Sequence, residues 1–97
     1  MSWTVTLTDE NHIEIESLKE EFVSKILSDS STHKVFYLIK YLDPYGDTVF
    51  NHLQIDDLII DLKKLREISV NKAIDEIINL ALKCKSTQHS YLIFYGN

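Results

Sequence analysis

Late in the sequence, a run of five apolar residues, Tyr91 to Tyr95, limits which folds this chain can adopt. A strand with one face in solvent alternates apolar and polar residues, whereas a strand covered on both faces is apolar at every position. The run therefore predicts a central strand buried on both sides. The rest of the chain must supply neighbouring strands and a layer of helices to cover it.

Two hairpins are predicted before that strand. Residues 3–16 alternate between apolar and polar side chains on either side of a polar break, which favours a first hairpin; the alternative is that residues 12–16 begin the next helix. Residues 35–42 are rich in β-branched and aromatic side chains. They precede an Asp-Pro-Tyr-Gly sequence at residues 43–46 that matches a type I turn, so residues 47–52 are predicted to complete a second hairpin.

Three helices are predicted from caps and spacing. Ser17 and Glu20 match a capping box, in which each side chain bonds a free backbone N–H at a helix start, so the first helix is predicted to begin at Ser17 and to end in the polar run 28–32. Apolar residues at helical spacing mark two more helices, broken near residues 69–71, with one long bent helix as the alternative. Their stripes are Ile55, Leu58, Ile59, Leu62 and Leu65, then Val70, Ala73, Ile74, Ile77, Ile78, Ala81 and Leu82.

The predicted order is β-β-α-β-β-α-α-β. It indicates an α+β fold in which an antiparallel or mixed sheet of about five strands carries three helices mainly on one face. The 97 residues, 44% of them hydrophobic, are enough for one core, so residues 1–97 are predicted to form a single domain.

Scarce residue types exclude several kinds of site. Two glycines and one proline leave no glycine-rich phosphate loop, and a single cysteine leaves no internal disulfide or multi-cysteine zinc site. The four histidines stand singly, without metal-binding spacing, although His12 and Glu14 would share a strand face. We expect no cofactor and no metal.

Cys84 is the candidate nucleophile of this sequence. It lies between Lys83 and Lys85, which would lower its pKa, and His89 follows five residues later. A cysteine on a helix is more often a small buried residue, and this interpretation is favoured. We therefore predict that the protein is not an enzyme.

Charge points to the kind of partner. The formal net charge is −5, from 15 acidic and 10 basic residues, and the acids are concentrated in the first two thirds of the chain. Scattered lysines and arginines do not favour nucleic acid, and apolar runs of five residues are too short to cross a membrane. A negative surface favours a basic protein partner; the alternative is that the charge only keeps the protein soluble.

Two surface patches are predicted to contact such a partner. Asp57 and Asp61 are one helical turn apart, on the side away from the leucine stripe, with Ile60 at their edge. The alternative is that Lys64 and the helix dipole balance these carboxylates. The second patch is the hairpin turn with Asp43, Tyr45 and Asp47.

Tyrosines form another pattern. Tyr37 and Tyr41 share strand parity, as do Tyr91 and Tyr95, so adjacent strands would place all four on one sheet face. Such a face could stack RNA bases, but basic residues beside it are lacking, and ordinary packing is the favoured interpretation.

The chain as a whole resembles the small immunity proteins of bacterial polymorphic toxin systems, in particular those paired with contact-dependent growth inhibition toxins. The resemblance lies in the short acidic format, the hairpin at residues 34–50, the helix within residues 53–65 and the final Tyr-Leu-Ile-Phe-Tyr-Gly-Asn segment. It implies an inhibitor that binds the C-terminal domain of one cognate toxin, often a basic nuclease such as a ribonuclease.

The start of the sequence shows no signal-peptide pattern, so we expect the protein in the cytoplasm. Two other functions stay open. One is a phage or mobile-element inhibitor of a host defence enzyme, and the other is a small ligand-binding domain.

Overall fold

A computed structural model of the protein describes residues 3–20, 36–42, 46–68 and 72–96. These residues contain one antiparallel sheet of four strands in the order β2-β1-β4-β3. The strands are β1 (Trp3–Thr8), β2 (Glu14–Glu20), β3 (Asp47–Asn51) and β4 (Tyr91–Gly96).

Two α-helices are present in this described part, α1 (Ile55–Ile68) and α2 (Lys72–Ser86). Two short 3-10 helices accompany them, Ile39–Tyr41 and His52–Gln54. Among the described residues, no helix combines the length and the apolar character needed to cross a bilayer. The class is therefore α+β, with four strands and two helices described where about five strands and three helices were predicted.

β4 is the central strand that its sequence predicts. It pairs with β1 on one side and with β3 on the other, both antiparallel. Leu92 and Phe94 belong to the core beneath the helices, while Ile93, which points to the opposite face, is also only 3% exposed. Burial on both faces explains why the strand has no polar alternation.

The core lies between the sheet and the two helices. Val5, Leu7 and Phe50 join the β4 residues from the sheet, and the rings of Phe50 and Phe94 meet edge to face with centroids 5.6 Å apart. The whole predicted stripe of α1 is buried. On α2 the prediction is wrong for Leu82, which is 48% exposed because it lies just beyond the edge of the buried arc, whereas Leu80 and Cys84 are buried.

The predicted first helix is wrong at its start. Residues 17–20 belong to β2, where Ser17 pairs with Thr6 and Leu18 with Val5. The Ser17 hydroxyl contacts the Thr6 hydroxyl at 3.1 Å rather than capping a helix, so tertiary pairing outweighs the local capping signal. The remainder of that predicted helix falls in residues 21–35, outside the described residues.

The predicted second hairpin is also wrong. Residues 36–42 form bends and a 3-10 helix instead of a strand, and β3 pairs with β4. The turn predicted at residues 43–46 lies mostly outside the described residues. The reason that residues 36–42 leave the sheet is a buried carboxylate, described below.

β1 carries two buried threonines, Thr6 and Thr8, whose hydroxyl groups differ in hydrogen bonding. Thr6 Oγ1 has its Ser17 partner, while Thr8 Oγ1 is buried and finds no hydrogen-bond partner in the described structure.

We expect Thr8→Val to raise the free energy of unfolding by about 1 kcal/mol, because an unsatisfied hydroxyl is removed without loss of volume.

Thr6→Val is the control and is expected to lower the same quantity by about 1 kcal/mol, since it breaks an existing bond. Urea unfolding followed by circular dichroism measures both. Equal effects of the two substitutions would contradict the difference in hydrogen bonding.

Candidate functional site

Asp61 is the buried carboxylate that organises this side of the molecule. It is 0% exposed and lies at the edge of the buried side of α1, one turn before Leu65, while the other acids of this helix are in solvent. Its Oδ1 accepts the N–H of Tyr37 at 2.9 Å, and its Oδ2 accepts those of Leu38 at 2.6 Å and Ile39 at 3.0 Å. The prediction that Asp61 lies on an exposed contact surface is therefore wrong.

This carboxylate determines where the segment 36–42 runs. Three successive N–H groups turned toward one side chain cannot pair with a neighbouring strand, so the segment bends and begins a 3-10 helix at Ile39. Phe36, Ile39 and Leu42 then enter the core. The side chain of Tyr37 points outward and is 56% exposed.

The outer side of α1 keeps the other two residues of the first predicted patch. Asp57 is exposed and Ile60 is 45% exposed. Lys64 follows Ile60 by one turn, and its Nζ lies 4.6 Å from the centre of the Tyr37 ring, a cation–π contact. We call Tyr37, Asp57, Ile60 and Lys64 the α1 patch; a role for it in binding stays a prediction.

The α1 patch is not strongly acidic. With Asp61 buried, the helix presents the carboxylates of Asp56, Asp57 and Glu67 and the basic side chains of Lys63, Lys64 and Arg66. Two of these charges are already in ion pairs with α2, Arg66 with Asp75 at 3.1 Å and Asp56 with Lys85 at 2.8 Å. This surface is nearly neutral and carries apolar side chains.

The second predicted patch is described only in part. Asp47 is exposed at the start of β3, a strand at the edge of the described sheet. Asp43 and Tyr45 lie outside the described residues.

The face with four tyrosines does not form. Tyr91 and Tyr95 lie on β4 and are half-buried, while Tyr37 and Tyr41 lie off the sheet, 56% and 64% exposed. Four tyrosines on one face would require residues 36–42 to be a strand beside β4, and these residues are not a strand.

The sequence reasoning missed a surface at the end of the first hairpin. Residues 9–16, which we call the hairpin arm, comprise the turn between β1 and β2 and the first residues of β2. Ile13 is 62% and Ile15 is 54% exposed, and the exposed carboxylates of Glu10 and Glu14 stand beside them in the sequence. The alternation of Ile13 and Ile15 with acidic residues is typical of a strand with one buried face, so no local pattern indicated that both isoleucines are exposed.

One end of the sheet also bears a polar cleft. It has a volume of about 430 Å³ and is lined by residues 51–53 and 88–91, which include His52 and His89. His52 Nδ1 lies 3.4 Å from the carbonyl oxygen of Cys84, and His89 has a positive φ of 58°. Across the described segments, no three His, Cys, Asp or Glu side chains form a group able to hold a metal ion.

Cys84 is buried, as the favoured interpretation predicted. It is 0% exposed, and the hydrogen bond found at its Sγ among the described residues comes from Ser90 Oγ at 3.2 Å rather than from His89. Burial raises the pKa of the thiol above its usual 9.0, and the Ser90 hydrogen bond opposes this rise to a smaller extent. The site therefore favours the neutral thiol over the nucleophilic thiolate.

Comparison of the chain with protein-family models, with curated proteins and with solved structures finds no match in any of the three. Functional inference therefore depends on the geometry described above.

Replacing Asp61 tests its role in the fold. We expect Asp61→Asn to lower the free energy of unfolding by about 3 kcal/mol, because the amide nitrogen would face a backbone donor and the charged acceptor is lost. Asp57→Asn, one turn earlier and exposed, is the control and should cost less than about 1 kcal/mol. Equal losses in urea unfolding would mean that the three bonds do not hold the segment 36–42.

The raised pKa of Cys84 predicts that the free energy of unfolding depends on pH in the alkaline range. Below pH 9.0 the thiol is protonated in both the folded and the unfolded state and does not affect the free energy of unfolding. As the pH rises above 9.0, the thiol ionises first in the unfolded state, because its pKa is raised in the folded state. The free energy of unfolding therefore falls until the pH passes the folded-state pKa. The wild type should therefore lose stability relative to Cys84→Ala as the pH rises above 9.0, in urea unfolding at a series of pH values. A difference that is constant over this range would contradict the raised pKa.

Proposed function

We propose that this protein is a small inhibitor of the immunity-protein class, which binds the C-terminal domain of a bacterial toxin in the cytoplasm and neutralises it by direct contact. The observation that carries the proposal is the α1 patch. It presents a tyrosine and an isoleucine, 56% and 45% exposed, on the outer side of a helix whose inner side is wholly in the core.

The geometry of Tyr37 suits a binding surface. Tyrosine combines a large apolar ring with a polar tip and is enriched in protein interfaces. The backbone N–H of Tyr37 is bonded to Asp61, and its ring is covered on one side by the Lys64 ammonium group. A side chain held in place before binding loses less conformational entropy when the complex forms.

The net charge supports a basic partner. A nuclease presents positive charge to phosphate groups, and an inhibitor with a formal charge of −5 is attracted to that surface over a long range. A phage or mobile-element inhibitor of a host defence enzyme would use the same physical features, so partner identity separates these two functions.

The polar cleft favours a second candidate function, a small ligand-binding domain. Its volume of about 430 Å³ lies within the range of small-molecule sites, and two histidines contribute to its lining. Absence of toxin protection by the wild type, together with small-molecule binding that His52→Ala and His89→Ala abolish, would favour this alternative.

A rescue assay tests the proposed function. The C-terminal domain encoded immediately upstream of this gene is expressed in a sensitive bacterium with and without the protein. We expect growth arrest by that domain alone and restored growth when the two are expressed together. Arrest in both strains, or in neither, would contradict an immunity function.

Paired variants then test the α1 patch in the same assay and by calorimetric titration. Ile60→Ser combined with Asp57→Lys is expected to weaken binding by at least about tenfold, since truncated apolar anchors dominate interface losses. Leu82→Ser on α2 is the matched control, because Leu82 is 48% exposed against 45% for Ile60. Equal affinities of the two variants would place the interface elsewhere.

A further inference from the structure

The hairpin arm carries two exposed isoleucines at the turn end of the β1–β2 hairpin. Ile13 and Ile15 lie two residues apart and are 62% and 54% exposed, more than Ile60 in the α1 patch. Exposure of isoleucine side chains to water is unfavourable, and exposed apolar groups close together in a chain mark contact surfaces.

The placement of Ile15 follows from a β-bulge. Leu7 pairs with Glu16 and Thr8 pairs with Glu14, so Ile15 is the additional residue on β2. A bulge bends an edge strand and redirects the side chain at that position. A regular ladder would pair Ile15 with Thr8, whereas the bulge leaves Ile15 without a partner residue on β1, and its side chain is 54% exposed.

The turn of the arm is held by its own hydrogen bonds. Asp9 Oδ1 accepts the N–H groups of Asn11 at 2.8 Å and Ile13 at 3.0 Å, and the Asp9 N–H donates to the Ile13 carbonyl at 3.0 Å. His12 adopts a φ of 61°, and its ring stacks on Tyr91 with centroids 5.0 Å apart. The arm is therefore ordered before it meets a partner, which reduces the entropic cost of binding.

The charge of the arm indicates the partner. Asp9, Glu10, Glu14 and Glu16 fall within eight residues, and no lysine or arginine precedes Lys19. Glu16 is in an ion pair with Lys83 at 2.6 Å, while Glu10 and Glu14 are exposed. The nearly neutral α1 patch lacks this concentration of negative charge.

We infer that the hairpin arm is a docking surface for a basic protein, in which Ile13 and Ile15 are the apolar anchors and Glu10 and Glu14 attract the partner. This inference rests on the proposed function, because the partner is the same basic toxin domain. Long-range attraction by the carboxylates raises the association rate, and burial of the isoleucines slows dissociation.

Charge reversal tests the attraction. Glu10→Lys with Glu14→Lys is compared with Glu67→Lys and Glu76→Lys, which change the net charge equally on the helices. Stopped-flow association with the toxin domain at low and high salt should show at least about a tenfold slower rate at low salt for the arm variant, and a smaller salt dependence. Equal slowing in both variants would mean that only total charge matters, and would overturn the inference.

The apolar contact is tested separately. Ile13→Ser with Ile15→Ser should raise the dissociation rate by at least about tenfold, with Leu82→Ser again as control. Methyl NMR of the unmodified protein provides a measurement independent of variant folding. On binding, the Ile13 and Ile15 methyl signals should shift and lose solvent accessibility, whereas those of buried Ile77 should not.

The outcomes separate the two claims. If the wild-type protein neither rescues growth nor binds the toxin domain, the proposed function fails. If it binds, but the arm variants behave as their controls and the Ile13 and Ile15 methyl signals do not change, the proposed function stands and the arm inference fails.

Discussion

The carboxylate of Asp61 is the interaction on which the helical side of this structure depends. It is fully buried and accepts three successive backbone N–H groups, from Tyr37, Leu38 and Ile39. A buried charge is tolerated only where hydrogen bonds replace its hydration, and these three bonds do so. They join residues 36–42 to α1, direct Phe36 and Ile39 into the core and leave Tyr37 outside. The same contact therefore completes the core and shapes the surface above it.

The two exposed surfaces differ in their chemistry. The α1 patch is nearly neutral and combines an aromatic and an aliphatic side chain, whereas the hairpin arm combines two isoleucines with exposed carboxylates. Both are held by hydrogen bonds that backbone N–H groups donate to an aspartate carboxylate, Asp61 in one case and Asp9 in the other. Ordered apolar groups, with negative charge concentrated in one of the two surfaces, are what an inhibitor of a basic enzyme requires. These features of the two surfaces support the proposed function.

The accuracy of the sequence predictions follows the range of the interactions behind them. The apolar run of β4 and the stripe of α1 were interpreted correctly, because continuous burial and helical periodicity are written in adjacent residues. The capping box at Ser17 was misleading, since pairing of β2 with β1 outweighs it. In the candidate site, the exposure of Asp57 and Ile60 followed from helical geometry. The burial of Asp61 did not, because its partners are more than 20 residues away along the chain.

The α+β class, the central strand, the two described helices with most of their buried residues and the excess of negative charge could all be predicted from the amino-acid sequence. Each depends on composition or on a short-range period. Long-range packing, in contrast, places residues 36–42 outside the sheet, pairs β3 with β4, buries Asp61 and leaves Ile13 and Ile15 exposed. These outcomes depend on which distant groups satisfy a backbone N–H or cover a side chain. Such pairing is set by the packing of the whole chain and has no local pattern from which it can be read.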